Sequence, residues 1–213
     1  MNLQTWTLII STLSDLSDGL PFALFLSFYK YSSLRIYFGG AFIIKLLTIV
    51  MIFGFGSRNT HPFYHVLALF EFSCLFLFYA GQLQWSRWQT FLPLVSILLL
   101  DVGFSLFLQN IFTFNSYAWS INTLILLIVS IRYLYYLYEK VEDVPLEEVE
   151  GFIINSGFLI YFAGSLFTYL LGFNILSGQA TGWFGNGWLF QSVANLIKNL
   201  VISYGLRQFN SNR

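Results

Sequence analysis

Apolar stretches of about 20 residues recur along the chain, and they limit its fold more than any other feature. A helix of this length crosses the ~30 Å hydrocarbon core of a bilayer, where only helices and closed barrels satisfy every backbone hydrogen bond. Runs such as FIIKLLTIVMIF lack the alternation of barrel strands. The sequence therefore predicts an all-α polytopic membrane protein, with a single seven-helix transmembrane domain over residues 1–213. The predicted spans are 6–28, 35–56, 63–83, 89–108, 118–138, 152–173 and 183–206.

The scarcity of charge excludes a soluble globular protein. Charged residues make up 9% of the chain, whereas a soluble domain contains about 25%. Lys+Arg and Asp+Glu both number 10, so no basic field attracts nucleic acid, and no nucleic-acid partner is expected. The single cysteine, Cys74, forms no internal disulfide, and with two histidines the chain has too few ligands for a stable zinc site. No metal or other cofactor is predicted.

The distribution of cations predicts the orientation, because short cytoplasmic loops retain Lys and Arg. Arg58 alone lies on one side of the predicted spans, and Lys45 and Lys198 lie inside them. The other side holds Lys30, Arg35, Arg87, Arg132, Lys140, Arg207 and Arg213. We therefore expect an outer N-terminus and a cytoplasmic C-terminus. The first span follows no basic leader and carries no cleavage site, so we expect it to be retained as a helix.

Five ionisable residues lie deep in the first four predicted spans, where burial of each costs at least ~2.5 kcal/mol. They are Asp15, Asp18, Lys45, Glu71 and Asp101. Asp15 and Asp18 share one helix face, and Lys45 has a comparable depth in the adjacent helix. We predict an ion pair between Lys45 and one of these aspartates. Glu71 and Asp101 have no basic partner left at their depth, so at least one is expected to be protonated or hydrogen-bonded to a hydroxyl or an amide.

The last predicted span carries four polar residues at helical spacing: Gln191, Asn195, Lys198 and Asn199. They form one stripe, which we expect to face the interior of the bundle. Lys198 is expected nearer the cytoplasmic end of this span than its centre. His65 lies near the outer end of the third span and is interpreted as a pH-sensitive group rather than a metal ligand.

These polar groups have two interpretations. They fix helix register through interhelical hydrogen bonds of about 0.6 kcal/mol each, or they form a proton relay or a polar ligand pocket, which their convergence at one depth favours. The cytoplasmic loop 139–150 is likewise either a solvated connector or a docking site for a basic partner. Its acids are Glu139, Glu142, Asp143, Glu147, Glu148 and Glu150. No catalytic motif such as H-E-x-x-H or G-x-S-x-G is present, so no enzymatic activity is predicted.

Three stretches carry a resemblance to a known family. They are ISTLSDLSDGLPFALFL at the start, HPFYHVLALFEF in the third span, and the pair GFIINSGFLIYFAGSLFTYLL and SVANLIKNLVISYGLR. They resemble an uncharacterised seven-helix membrane module of Bacteroidetes-type bacteria, which occurs alone or as the sensor region of histidine kinases. His65 and Glu71 match the His and Glu positions of this family, and Asn195, Asn199 and Gly205 match its closing element. The resemblance implies a receptor or sensor role. We expect no kinase after the last predicted span, so any signal is expected to pass through a separate partner.

The leading functional hypothesis is a sensor in the bacterial inner membrane. It would bind a small or lipidic ligand, or a proton, in an intramembrane polar cavity in the outer half of the bundle. A change in helix packing would then pass to a separate signalling partner at the cytoplasmic face. The alternative is a small proton-coupled transporter or channel. A third interpretation is a retinal-type photoreceptor in which Lys198 forms the Schiff base.

Overall fold

A computed structural model of the chain describes residues 3–26, 31–56, 59–140, 145–176 and 187–211, and all regular structure in these ranges is helical. The prediction of an all-α protein is therefore confirmed over the described residues. A π-helical turn, Phe104–Leu108, extends the fifth helix, and a 3₁₀ turn, Leu146–Glu148, precedes the seventh. The helices are α1 Leu3–Ser17, α2 Gly19–Phe25, α3 Ser32–Phe53, α4 His61–Gln82, α5 Arg87–Gly103, α6 Ser116–Lys140, α7 Glu150–Leu170, α8 Gly172–Leu176 and α9 Gly187–Ser211.

Six helical segments in the described ranges are long and apolar enough to cross a membrane. They are Trp6–Phe25, Ser32–Phe53, His61–Gln82, Arg87–Leu108, Ser116–Lys140 and Glu150–Leu170. The last helix, α9, has 25 residues but is not among them. Its polar stripe explains the difference, because Gln191, Asn195 and Lys198 lower the mean hydropathy of a helix that is otherwise long enough. Residues 27–28 and 183–186, which the sequence places in the first and last spans, lie outside the described residues.

The first predicted span is two helices rather than one. Pro21 has no N–H, so the carbonyl of Ser17 loses its partner in the regular pattern, and the ring crowds the preceding turn. α1 accordingly ends at Ser17 and α2 begins at Gly19. The Phe22 N–H then donates to the Asp18 carbonyl at 3.3 Å. Asp18 thus occupies the junction between the two helices.

Helices α7 and α9 form the centre of the bundle. α9 packs against α7, α1 and α2, while α6 covers another side of α7 and α3 packs on α4. Gly157 lets α7 and α9 approach closely, since a Cβ there would lie 2.8 Å from Ile202 Cγ1. The surrounding core is rich in aromatic rings. The largest fully buried rings are Tyr37, Tyr79, Tyr133, Tyr161, Phe25, Phe38, Phe72, Phe158 and Phe162.

Helix α5 is the least embedded of the long helices. Only Asp101 is buried in it, and Leu94, Ile97 and Leu98 are half-buried against the core. Ser86 caps its start in a capping box with Gln89, whose N–H donates to Ser86 Oγ while Gln89 Oε1 accepts from Ser86 N–H. The helix is therefore well formed locally but weakly attached to its neighbours.

The end of the acidic connector does not behave as a solvated loop. Glu150 is buried at the start of α7, and its Oε2 accepts a 3.3 Å hydrogen bond from Tyr31 Oη. Leu146 and Val149 pack against the core. The interpretation of the whole loop as a solvated connector is therefore wrong at this end, whereas residues 141–144 lie outside the described part.

Candidate functional site

Two lysines meet at one aspartate in the centre of the bundle. Lys45 Nζ lies 2.5 Å from Asp18 Oδ2 and 3.4 Å from Asp15 Oδ1, so the predicted ion pair is confirmed. Lys198 Nζ lies 3.3 Å from Asp18 Oδ1. Asp18 and Lys198 are fully buried, and Asp15 retains a quarter of its side-chain exposure. The sequence did not predict that Lys198 belongs to this group, whereas in the structure Lys198 contacts the same carboxylate as Lys45.

The polar stripe of α9 attaches α9 to α1. Asn195 Nδ2 donates to the hydroxyl and the carbonyl oxygen of Ser14, at 2.9 and 3.0 Å. Asn199 Nδ2 donates to Ser17 Oγ at 2.6 Å and to Asp18 Oδ1 at 2.8 Å. The prediction that this stripe faces the interior is confirmed, because Asn195, Lys198 and Asn199 are all fully buried.

Glu71 accepts hydrogen bonds from two phenols, one on each carboxylate oxygen. Tyr37 Oη donates to Glu71 Oε2 and Tyr161 Oη donates to Glu71 Oε1, both at 3.1 Å. Lys198 Nζ donates to Tyr37 Oη at 3.0 Å, which joins Glu71 to the lysine and aspartate group. The expectation that at least one of Glu71 and Asp101 is protonated or hydrogen-bonded to a hydroxyl or an amide is therefore met at Glu71.

The chain of hydrogen bonds continues beyond Tyr161. Its hydroxyl lies 2.9 Å from Tyr169 Oη, and Gln191 Nε2 donates to Tyr169 Oη at 3.3 Å. A single donor direction satisfies every contact: Gln191 donates to Tyr169, Tyr169 to Tyr161, and Tyr161 to Glu71. All donors point towards Glu71, an arrangement that fits an ionised carboxylate.

Aromatic rings surround the Lys198 ammonium. Its Nζ lies 4.6 Å from the ring centre of Tyr161, and 5.2 to 6.0 Å from those of Tyr37, Phe38 and Phe158. Such rings attract a cation through their negative faces. The ammonium is therefore held by Asp18, by a phenol oxygen and by π faces together.

We name Asp15, Asp18, Lys45, Glu71 and Lys198 the charge network. Three carboxylates face two ammonium groups, so the fully ionised network has one negative charge in excess. A cavity of about 20 Å³ adjoins it, which is room for about one water molecule. The aromatic wall of the cavity includes Tyr64, Phe114, Trp119 and Trp188. Its polar wall includes Asp15, Lys45, Glu71, Tyr161, Tyr169 and Gln191.

The sequence places Asp101 at the same depth as Glu71 and among the candidate ligand- or proton-binding residues, but Asp101 does not line this cavity. It faces α6, where Asn122 Nδ2 donates to Asp101 Oδ2 at 2.7 Å. Leu94, Ile97 and Leu98 lie on the same side of α5 as Asp101 and are half-buried against the core. Their packing sets the rotation of α5 about its axis, and this rotation turns Asp101 towards α6. Asp101 is thus hydrogen-bonded to an amide, one of the alternatives expected for Glu71 and Asp101.

His65 connects α4 to the segment between α5 and α6. Its Nδ1 lies 2.9 Å from Ser105 Oγ and its Nε2 lies 2.9 Å from the Thr113 carbonyl oxygen. Ser105 Oγ also donates to the Asp101 carbonyl at 2.9 Å and accepts from Asn115 Nδ2 at 3.0 Å. Because the Thr113 carbonyl oxygen can only accept, His65 Nε2 donates the hydrogen bond to it. No group of three or more His, Cys, Asp or Glu suited to a metal occurs in the described ranges.

The sequence interpretation missed the phenols and Asn122. The chain has 13 tyrosines, and no sequence pattern separates Tyr37, Tyr161 and Tyr169 from the others. Asn122 carried a usable signal, because it is an amide within the apolar run INTLILLIVSI. An amide in such a run requires a polar partner on a neighbouring helix.

Comparison with known proteins found no matching family model, no matching curated protein and no matching solved structure for this chain. The resemblance to the seven-helix module therefore remains a prediction from the sequence motifs.

Proposed function

We propose that this chain is a multi-pass membrane protein of the sensor class, in which a proton acts on the charge network. The observation that carries the proposal is the single excess carboxylate beside a cavity of about one water molecule. A cavity of this size supports a proton as the stimulus better than a lipidic ligand. Asp15 is the group that takes up the proton, because it is the most exposed carboxylate of the network and has the longest contact to Lys45.

The proposed topology has seven spans, with α9 as the seventh. Its 25 residues extend about 37 Å, long enough to cross the hydrocarbon core. The polar stripe that lowers its hydropathy is buried against α1 and α7 rather than facing lipid. The loop cations favour an outer N-terminus and a cytoplasmic C-terminus. In this orientation the cavity lies in the outer half, and the setting is a bacterial inner membrane.

Protonation of Asp15 would remove one partner of Lys45 and shift the packing of α1 against α3. Contacts at the cytoplasmic ends of α4, α6 and α7 offer a route for the output. Tyr79 Oη and Ser130 Oγ both donate to Asn155 Oδ1 at 2.8 Å, and Tyr133 Oη donates to Gln82 Oε1 at 3.2 Å. A separate signalling partner would read the change at the cytoplasmic face.

A pH titration of tryptophan emission in lipid nanodiscs tests the proposal, since Trp119 and Trp188 line the cavity. We expect the emission to shift on acidification in the wild type. Asp15→Asn should abolish the shift, while the exposed Glu147→Gln, which removes a charge outside the network, should leave it unchanged. A wild type without a shift, or an Asp15→Asn variant that titrates like the wild type, would contradict the proposal.

A proton-coupled transporter is the second candidate, and the break between α1 and α2 favours it. Transporters place interrupted helices at their ion sites. Here the interruption is a single residue, Asp18, whose backbone dihedrals remain helical. Proteoliposomes that contain a pH-sensitive dye distinguish the two classes. A sensor gives no proton flux above that of empty vesicles, whereas a transporter acidifies the lumen and loses this activity in Asp18→Asn.

The retinal interpretation is the weakest of the three. Lys198 has aromatic neighbours and a carboxylate partner in Asp18. The cavity beside the charge network, however, has no room for a polyene. Absorbance of the purified protein after incubation with retinal tests this interpretation, and we expect no visible band.

A further inference from the structure

A carboxyl group and a carboxamide are paired between α5 and α6, away from the charge network. Asp101 and Asn122 are both buried, and they share one hydrogen bond of 2.7 Å from Asn122 Nδ2 to Asp101 Oδ2. The other oxygen of each group, Asp101 Oδ1 and Asn122 Oδ1, is buried without a hydrogen-bond partner in the described structure. Two unsatisfied acceptors on one pair of side chains require an explanation.

A proton on Asp101 satisfies both atoms at once. A neutral carboxylic acid and a carboxamide fit each other through two hydrogen bonds, one from the amide N–H and one from the acid O–H. The first bond is present, and the second would join the two oxygens that lack partners. An ionised Asp101 would leave both oxygens as buried acceptors with no donor between them.

Among the described residues, Asp101 has no cationic partner that would stabilise its charge. None of the ion pairs among the described residues involves Asp101. The facing group on α6 is the neutral Asn122, and α4 contributes His65, which reaches Ser105 on the following turn rather than the carboxyl group. Ser105 Oγ donates to the Asp101 backbone carbonyl and not to its side chain.

The pair is also the principal polar link of its helix to the bundle. Asp101 is the one buried residue of α5, whose other inward side chains are only half-buried. We propose that Asp101 is a proton-binding site distinct from the charge network. The hydrogen bond that this proton forms with Asn122 holds α5 against α6, and we name this link the latch. Deprotonation at alkaline pH removes the O–H···O bond, places a carboxylate in an apolar setting, and releases this end of α5. The inference does not depend on the sensor assignment.

Infrared spectroscopy of protein labelled with ¹³C at the aspartate carboxyl groups tests the proton directly. The chain has only four aspartates, so few labelled bands arise. In nanodiscs at neutral pH, the wild type should show the carbonyl band of a protonated carboxylic acid. The band should disappear in Asp101→Asn and persist in Asp15→Asn, which alters an ion-paired aspartate instead.

A wild type without this band, or a band that persists in Asp101→Asn, would overturn the proposal. A sodium ion bound between the two free oxygens is a specific rival. It would keep Asp101 ionised, so the neutral-pH band would be missing and its absence would count against the proton.

Spin labels test the latch. Leu99→Cys on α5 and Leu124→Cys on α6 place nitroxides at exposed sites in a Cys74→Ala background. The distance distribution should be narrow at neutral pH and broaden at alkaline pH. Asp101→Asn should stay narrow throughout, because an amide pair keeps both hydrogen bonds without a titrating proton. Asn122→Leu should be broad at every pH. An Asp101→Asn variant that broadens with pH like the wild type would overturn the latch.

Discussion

Glu71 on α4 and Asp101 on α5 are both buried carboxyl groups, yet they differ in the number and kind of hydrogen-bond donors around them. Each oxygen of Glu71 accepts a hydrogen bond from a phenol, and Lys198 lies one hydrogen bond further away behind Tyr37. Asp101 accepts one hydrogen bond from an amide, and its second oxygen has none in the described structure. The first environment stabilises a carboxylate, and the second accommodates a carboxylic acid.

The difference shows that burial alone does not decide the charge of a carboxyl group in a bundle. Both residues interrupt apolar runs, LALFEFSCLF and ILLLDVGFSL, that look equivalent in sequence. The number and kind of donors from neighbouring helices separate them. Substitutions that remove charge but keep shape should therefore have unequal effects at the two places.

The largest effect is expected at the centre of the charge network. Asp18→Asn leaves Lys45 and Lys198 without their shared carboxylate, and we expect it to cost about 3–5 kcal/mol of stability. Asp15→Asn is the matched control. It should cost less than about 1 kcal/mol, because Asp15 is partly exposed and 3.4 Å from Lys45. Unfolding in a denaturing detergent measures both, and equal losses would contradict the central place of Asp18.

Glu71→Gln should have the next largest effect, about 1–3 kcal/mol. In the wild type, both phenols donate to Glu71. In the variant, the amide nitrogen faces one of these phenols, so that hydrogen bond is replaced by a contact between two donors. Tyr161→Phe in the Glu71→Gln background should recover part of the loss if that phenol is the group opposed. The same detergent unfolding measures the pair, and strictly additive losses would show that the phenols do not depend on the carboxylate.

Ser105→Ala should cost about 1 kcal/mol, because it removes a hydrogen-bond partner of His65 and of Asn115. This change tests whether the His65 group stabilises the end of α5 separately from the Asp101 pair. The distance distribution between labels at Leu99 and Leu124 should broaden slightly at neutral pH and still respond to alkaline pH. Loss of the alkaline response would assign the latch to Ser105 rather than to Asp101.

Asp101→Asn should have the smallest effect on stability, within about 0.5 kcal/mol near neutral pH. Asparagine is close in shape to a neutral aspartic acid and can form two hydrogen bonds with Asn122. The comparison with Glu71→Gln is therefore decisive, since the same chemical change is costly at one buried carboxyl and nearly neutral at the other. Similar losses at both would break the distinction between the two environments.

The sequence predicted much of the fold and part of the site. Apolar length predicted helices, and the spacing of Asp15, Asp18 and Lys45 predicted their ion pair, because both depend on helical periodicity within one or two neighbouring segments. The polar stripe of α9 faces inward as predicted, since four polar side chains on one face cannot all turn towards lipid.

Other features depend on packing between distant helices and could not be read from the sequence. Lys198 reaches Asp18 only because α9 packs against the junction of α1 and α2. Asp101 faces Asn122 rather than Glu71 because α5 packs against both α4 and α6. The phenols that hold Glu71 come from α3 and α7, and their residue type gave no indication of that role.

An infrared pH titration of ¹³C-aspartate protein in nanodiscs tests the proton-sensing account most directly, because it observes the carboxyl groups of Asp15 and Asp101 in one experiment. The titration uses an Asp143→Asn background, which removes the one aspartate outside both sites. The account predicts one protonated band from Asp101 at neutral pH and a second band that appears on acidification. The second band should be missing in Asp15→Asn while the first remains. If acidification produces no second band, or if that band survives in Asp15→Asn, the charge network does not bind the proton as proposed.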